Sequence, residues 1–308
     1  MDEQNYKLEQ QSIAELDKLV EIATKETDSP DFTLITEKLK ELQENFPESE
    51  NRAEACARVL VKLSTMQTTD KDQVFTIEKV RTLYKEFPDS QDIALSYATA
   101  LFNLSNNQND INDRKETISK LKDLTLRFQN SQDIALQYAN ALVNLSSKQT
   151  GLEEVVETGQ KIKDIYIKFN EPQDIALPYA TALLSLSDKQ SKAGEIAGTT
   201  QKIEDIYKKF NEPQGIALRY ATALVNLSLK QTNLDKLNDT VSKLKKLAYN
   251  FEKNEDITLC YSEALAEIIT KQQNEEEILE TIDELKHTKI SSEEISDGRK
   301  YSLLFSLC

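Results

Sequence analysis

Asparagines, threonines and a few charged residues recur along this chain at one fixed interval, and theirs are the types and spacing that could do chemistry. One line reads Arg58, Thr99, Asn140, Thr181, Thr222 and Glu263. A second, four residues further on, reads Lys62, Asn103, Asn144, Ser185, Asn226 and Glu267, and Arg219 stands just ahead of Thr222. The chemistry open to such a set is recognition. A carboxamide offers both donor and acceptor, so amides at regular intervals can bond the backbone of an extended peptide. Both lines run from a basic end through a neutral middle to an acidic end, which would set a peptide's direction. The competing reading is the solvated side of an otherwise buried helix.

Reaction chemistry has less to stand on. His287 is the single histidine, so no histidine-based triad has a local motif, and no cluster has metal-ligand spacing. Glycine-rich phosphate loops and the GxSxG elbow are absent. Helical-hairpin toroids include enzymes, and an enzyme of that kind is the alternative reading. There, ionisable residues should break the repeat and cluster. Arg58, Lys62, Arg219, Glu263 and Glu267 are such breaks, but they fall in different repeats, which suits a long groove better than one reaction centre. No catalytic, cofactor-binding or metal-binding residue is therefore expected.

The elements that position these residues are one unit, repeated without a slip. DIALSYATALFNLSNNQ at Asp92 returns as DIALQYANALVNLSSKQ at Asp133, DIALPYATALLSLSDKQ at Asp174 and GIALRYATALVNLSLKQ at Gly215. The closing glutamine recurs as Gln67, Gln108, Gln149, Gln190, Gln231 and Gln272, and the phenylalanine ahead of each segment as Phe46, Phe87, Phe128, Phe169, Phe210 and Phe251. Residues 160–190 and 201–231 differ at seven of 31 positions, a late duplication. The phase extends weakly back to Leu19, Val20 and Ile22 and forward to Asp297. One array over 1–308 follows: a degenerate repeat at 10–46, five regular repeats over 51–251, and a last repeat with a capping helix over 256–308. Seven helix pairs and one unpaired final helix are expected.

The two helices of a unit differ. In ETISKLKDLTLRF the apolar residues Ile118, Leu121, Leu124 and Phe128 form one stripe at helical period, the mark of a helix exposed on its other side. The DIAL helix is apolar nearly all round, with only Asp92, Ser96, Thr99, Asn103 and Asn106 polar, so it is expected in an inner layer whose polar strip lines a concave face. Between them FPDS, FQNS and FNEP supply turn and N-cap residues, with Pro172 and Pro213 expected at the first helical position. Pro178 should bend its helix locally. The LSxxQ endings are expected to be structural, with the serine allowing close packing and the glutamine satisfying the turn.

On these residues the unit resembles the tetratricopeptide repeat. Small residues stand where the paired helices cross (Ala57, Ala98, Ala139, Ala180, Ala221, and Ser262 in the last copy), flanked by Tyr97 and Leu101, with an FPDS turn closing the outer helix at Phe87 to Ser90. The period departs from that family: 41 residues, against about 34 there and about 40–47 in HEAT or armadillo units. Tryptophan is absent, and alanine (Ala94, Ala135) stands in its place. The resemblance covers roughly residues 10–290. It implies an all-α fold, a right-handed α-α superhelix or solenoid, that binds a protein or peptide along its concave face.

Composition narrows the partners. A net charge of −15 disfavours nucleic acid and anionic membrane surfaces, so an RNA-binding helical repeat ranks last. No apolar run approaches the ~18 residues of a membrane helix. Three widely spaced cysteines (Cys56, Cys260, Cys308) fit a reducing compartment, and with no Sec-type leader evident the expectation is the cytoplasm. The apolar run Tyr301–Cys308 has two readings: a helix packed on the last pair, or a contact that makes a homodimer.

Overall fold

The computed structural model describes residues 3–25, 33–66 and 70–288. Among them the chain is all-α, with fourteen helices and no strand. In order these are α1 (Glu3–Lys25), α2 (Thr33–Asn45), α3 (Glu50–Met66), α4 (Asp70–Glu86), α5 (Gln91–Asn107), α6 (Ile111–Arg127) and α7 (Gln132–Ser146). They are followed by α8 (Leu152–Lys168), α9 (Gln173–Lys189), α10 (Ala193–Lys209), α11 (Gln214–Ser228), α12 (Leu234–Asn250), α13 (Glu255–Ile269) and α14 (Glu275–His287). Gln67, Asp297, the expected capping helix, the run Tyr301–Cys308 with its dimer contact, and Cys308 lie outside the described residues. The chain divides into two compact units, Met1–Leu145 and Ser146–Cys308.

Both units obey one packing rule. An inner helix, carrying the DIAL segment or the stretch 41 residues from it, packs on the outer helices before and after it and on its inner neighbours. In the first unit α3 does so with α2, α4, α1 and α5; in the second α11 does so with α10, α12, α9 and α13. Alanine makes the close approach possible. Ala57, Ala98, Ala139, Ala180 and Ala221 are all 0 % exposed, and beside them Ile93, Ile134, Ile175 and Ile257 are equally buried. The outer helices bury a single stripe, in α12 Leu237, Val241, Leu244 and Leu247 at spacings of three and four.

A second packing element is aromatic. Tyr84, Tyr166 and Tyr207 on outer helices lie against Tyr97, Tyr179 and Tyr220 on inner ones, with ring centroids 5.6, 5.3 and 5.8 Å apart. Offset and tilted pairs at such distances contribute beyond the area they bury.

The LSxxQ endings are structural in a way the sequence reading did not anticipate. Ser64, Ser105, Ser187 and Ser228 donate to the carbonyl three residues back in their own helix, at 2.6–2.8 Å. Three of the glutamines reach past the turn to a buried threonine nine residues on: Thr199 Oγ1 donates to Gln190 Oε1 and Thr240 Oγ1 to Gln231 Oε1, each at 3.0 Å, and Gln272 Nε2 donates to Thr281 Oγ1 at 3.0 Å. Each bond ties the end of an inner helix to the second turn of the next outer one.

The inter-helix turns fall into two classes. After α4 and α6 the chain closes with Ser90 N–H to Phe87 O and Ser131 N–H to Phe128 O, at 3.2 and 3.0 Å. Ser90 is not the side-chain cap its position suggests; its hydroxyl donates to Glu54 at 3.0 Å. The FNEP turns instead place Asn170 and Glu171, and Asn211 and Glu212, at φ of 60, 56, 57 and 62°. That turns Glu171 N–H and Glu212 N–H onto Tyr166 O and Tyr207 O at 2.8 and 2.9 Å. Pro172 and Pro213 therefore sit at the N-cap, one residue earlier than the sequence implies, and Pro178 lies buried inside an unbroken α9. Asparagine, whose short amide can bond the local backbone, tolerates the left-handed region better than glutamate does. Glu212→Gly is therefore expected to raise stability by up to about 1 kcal/mol, the relief of strain exceeding the added unfolded-state freedom, as a higher midpoint in urea.

Two cations, Arg114 buried and Lys271 half-buried, bind helix ends. Arg114, 4 % exposed, donates through Nη1 to Asn144 O at 3.0 Å and through Nη2 to Gln108 O, so one guanidinium holds the C-terminal carbonyls of α5 and α7. Lys271 donates to Ser228 O and Gln231 O at the end of α11, at 3.3 and 2.7 Å. Cations are favoured there because carbonyls at a helix C-terminus lack partners and carry the negative end of the dipole.

Glu204 is the buried acid among the described residues of the second unit. Burial pushes its carboxyl up, but hydrogen bonds from Lys208 and Tyr220 and the charge of Lys243 outweigh that and hold it below its ordinary value. A carboxylate depressed in the fold contributes stability above its unfolded pKa and loses it as pH falls through the folded one. Stability is thus expected to fall below about pH 4.5, the ordinary value, and Glu204→Gln to flatten that fall in urea melts at stepped pH.

Candidate protein-binding face

The inner helices bring the predicted residues to one face in each unit. Arg58 and Lys62 on α3 are exposed; Thr99 and Asn103 on α5 and Asn140 and Asn144 on α7 are half-buried. In the second unit Thr181 and Ser185 on α9, Arg219, Thr222 and Asn226 on α11, and Glu263 and Glu267 on α13 are likewise half-buried. Thr99, Thr181 and Thr222 donate to the carbonyl four residues back, each at 2.9 Å, which turns the hydroxyl hydrogen inward and leaves a methyl and oxygen lone pairs outward. Ser185 bonds Thr181 O at 3.2 Å.

Two expectations change. Two of the asparagine amides are engaged by the preceding inner helix: Asn144 Nδ2 donates to Asn106 Oδ1, and Asn226 Nδ2 to Ser187 Oγ at 2.9 Å and to Asp188 Oδ1. A partner would have to compete for those donors, so these amides set the register between helices first. The basic end is also partly neutralised. Arg58 Nη2 meets both carboxylate oxygens of Asp17, one repeat earlier, at 2.9 and 3.0 Å. At the acidic end Glu267 pairs with Lys271 at 2.7 Å.

The face is not simply polar. Leu95, Leu136, Leu177, Leu218 and Leu259, the leucine of each DIAL segment, recur once per repeat on the same side as the threonines. Leu177 is 38 % exposed and the others are half-buried. Phe102, Val143 and Leu184 are half-buried about two turns further along, seven residues on. The sequence reading had placed these residues in the packed circumference. The helix packs on fewer sides than its composition implies, and its uncovered side mixes leucine with threonine and asparagine.

In the second unit this face is concave. Thr181 and Leu184 of α9, Leu218, Arg219 and Thr222 of α11, and Asp256, Leu259 and Cys260 of α13 line an open cleft of about 360 Å3. Arg219 Nε donates to Thr181 Oγ1 at 3.3 Å, and its guanidinium has no ion-pair partner among the described residues. Thr222 Oγ1 touches Cys260 Sγ at 3.9 Å. Burial pushes the thiols of Cys260 and Cys56 up to about 11, so neither is a ready nucleophile. His287 is exposed on α14, bonded to Asp283 O at 2.7 Å. Among the described residues no group of histidine, cysteine and acidic side chains could hold a metal ion.

No family model matches the sequence, and no curated protein matches it. Among solved structures, a chain from the computational design of self-assembling cyclic protein homooligomers is similar at 15 % identity over 99 % of this chain and 96 % of that chain. Its TM-score is 0.15, too low to bear on fold or function. No described helix is long and apolar enough to cross a membrane.

Proposed function

We propose that this chain is a non-catalytic scaffold that binds a protein or peptide along its inner helices, stacked as a tetratricopeptide-like right-handed superhelix. One observation carries the reading: leucines recurring once per repeat lie on a surface-facing side with polar neighbours, and in the second unit they floor a cleft around an arginine that has no ion pair among the described residues. Half-covered leucines beside such a guanidinium suit a partner that brings apolar side chains and a carboxylate. The repeat supplies the same contact at successive positions, as an extended partner requires. The charge of −15 argues for protein over nucleic acid, and buried, unpaired thiols at Cys56 and Cys260 suit the cytoplasm.

Random peptides displayed on phage and selected on the full chain test the proposal. Selected sequences should combine apolar residues with an acid, and Arg219→Glu should weaken them at least tenfold. Selection of peptides indifferent to Arg219→Glu and to charge on the inner leucines would refute it.

A further inference from the structure

The first repeat lacks the tyrosine pair that three later repeats place between an outer helix and the inner helix after it, Tyr84–Tyr97, Tyr166–Tyr179 and Tyr207–Tyr220; Thr125 and Ala248 interrupt it in two others. Gln43 stands one repeat before Tyr84, and Cys56 one repeat before Tyr97. Between α4 and α6 Tyr84 stacks on Tyr97, with Phe128 6.4 Å from Tyr84 and the Arg127 guanidinium 5.8 Å over its ring, and the cleft that remains beside Tyr97 is only about 190 Å3. Between α2 and α4 the same place is a cleft of about 370 Å3 floored by Cys56 and Leu60, with Leu39 and Leu83 on its walls. Val80, one repeat after Leu39, is 0 % exposed, whereas Leu39 is only half-buried.

The cleft's charge is as distinctive as its shape. Lys40 and Lys79 stand on its rim, both exposed enough to meet a partner, Lys40 with its ammonium 3.6 Å from Glu44 and Lys79 with its ammonium 4.6 Å over the Phe75 ring. Its one acid, Glu86, faces Arg52 at 3.8 Å, and Arg52 is itself 1 % exposed and donates to Phe46 O and Pro47 O at 3.2 and 2.6 Å. In a chain of net charge −15 this is a locally cationic site with an apolar floor.

We propose that the cleft between α2 and α4 accepts an aromatic side chain carried on an acidic segment of a partner protein. The fold itself shows that aromatic rings fit this place, since tyrosine pairs occupy the equivalent place in three later repeats. The rim lysines favour carboxylates on either side of the incoming ring. This site is separate from the inner face and does not depend on it.

The test is fluorescence anisotropy with a labelled peptide, Gly-Glu-Glu-Tyr-Glu-Glu-Gly, and its counterpart with alanine for tyrosine, titrated with the full chain. The tyrosine peptide should bind at least fivefold more tightly than the alanine peptide. Gln43→Tyr with Cys56→Tyr should fill the cleft and abolish that preference. Should the filled variant fail to fold by circular dichroism, the surface pair Lys40→Glu and Lys79→Glu provides the second reading, with an expected loss of at least tenfold. Leu218→Asp should change nothing here. Equal binding of the two peptides, a filled or charge-reversed variant that binds as the wild type does, or N-acetyl-tyrosinamide alone binding as tightly as the acidic peptide would overturn the proposal.

Discussion

Arg114→Ala is expected to destabilise the fold by about 3 kcal/mol, the largest single effect among the residues considered. Two buried carbonyls, Gln108 O and Asn144 O, lose their donor together. Each buried acceptor left unpaired costs about 1–3 kcal/mol, and the emptied place of the buried stem adds a cavity term. Burial also lowers the pKa of this guanidinium, which marks the desolvation its carbonyl partners offset. Arg114→Lys should recover only part of the loss, because a point charge on a shorter reach cannot hold two helix ends at once. Urea unfolding followed by circular dichroism measures both, and a loss below about 1 kcal/mol for alanine would show that water replaces the guanidinium.

The second large effect concerns binding. Leu218→Asp with Leu259→Asp should weaken a selected peptide by about 100-fold, and leave folding nearly unchanged. Covering two half-exposed leucines contributes about 3 kcal/mol at the usual scale for apolar side chains, which is the 100-fold stated. Aspartate would also repel the acid expected opposite Arg219. Both leucines face the cleft and neither is in the buried core, so the cost to the fold should stay near the ~0.5 kcal/mol per site typical of surface changes. Calorimetric titration of wild type and variant, with thermal melts of each, separates the two effects.

The helices were legible because periodicity is a property of the chain alone. An unslipped repeat located seven pairs, and all fourteen helices fall in the expected order. What periodicity does not report is which side of an apolar helix its neighbours leave uncovered. Leu95 and Phe102 have the composition of core residues, yet they share the outward side of Thr99, because the flanking helices crowd the Ala98 side. The buried roles of Arg52 and Arg114 leave no mark in the sequence, because their partners are backbone carbonyls, which no sequence pattern displays. The glutamine–threonine ties were available as a spacing of nine residues, but that interval crosses a turn and belongs to no helical or strand period. Asp17 as the partner of Arg58 was readable one repeat back, had the weak first repeat been extended along the polar strip.

The central claim, that the inner face holds a partner, is tested most directly by placing a photo-crosslinking amino acid at Thr222 on α11 and, separately, at the exposed Asp205 on outer helix α10. With a peptide selected on the full chain, illumination should link it to position 222 and leave position 205 unlabelled. A bound peptide that crosslinks to position 205 and not to position 222 would contradict the account.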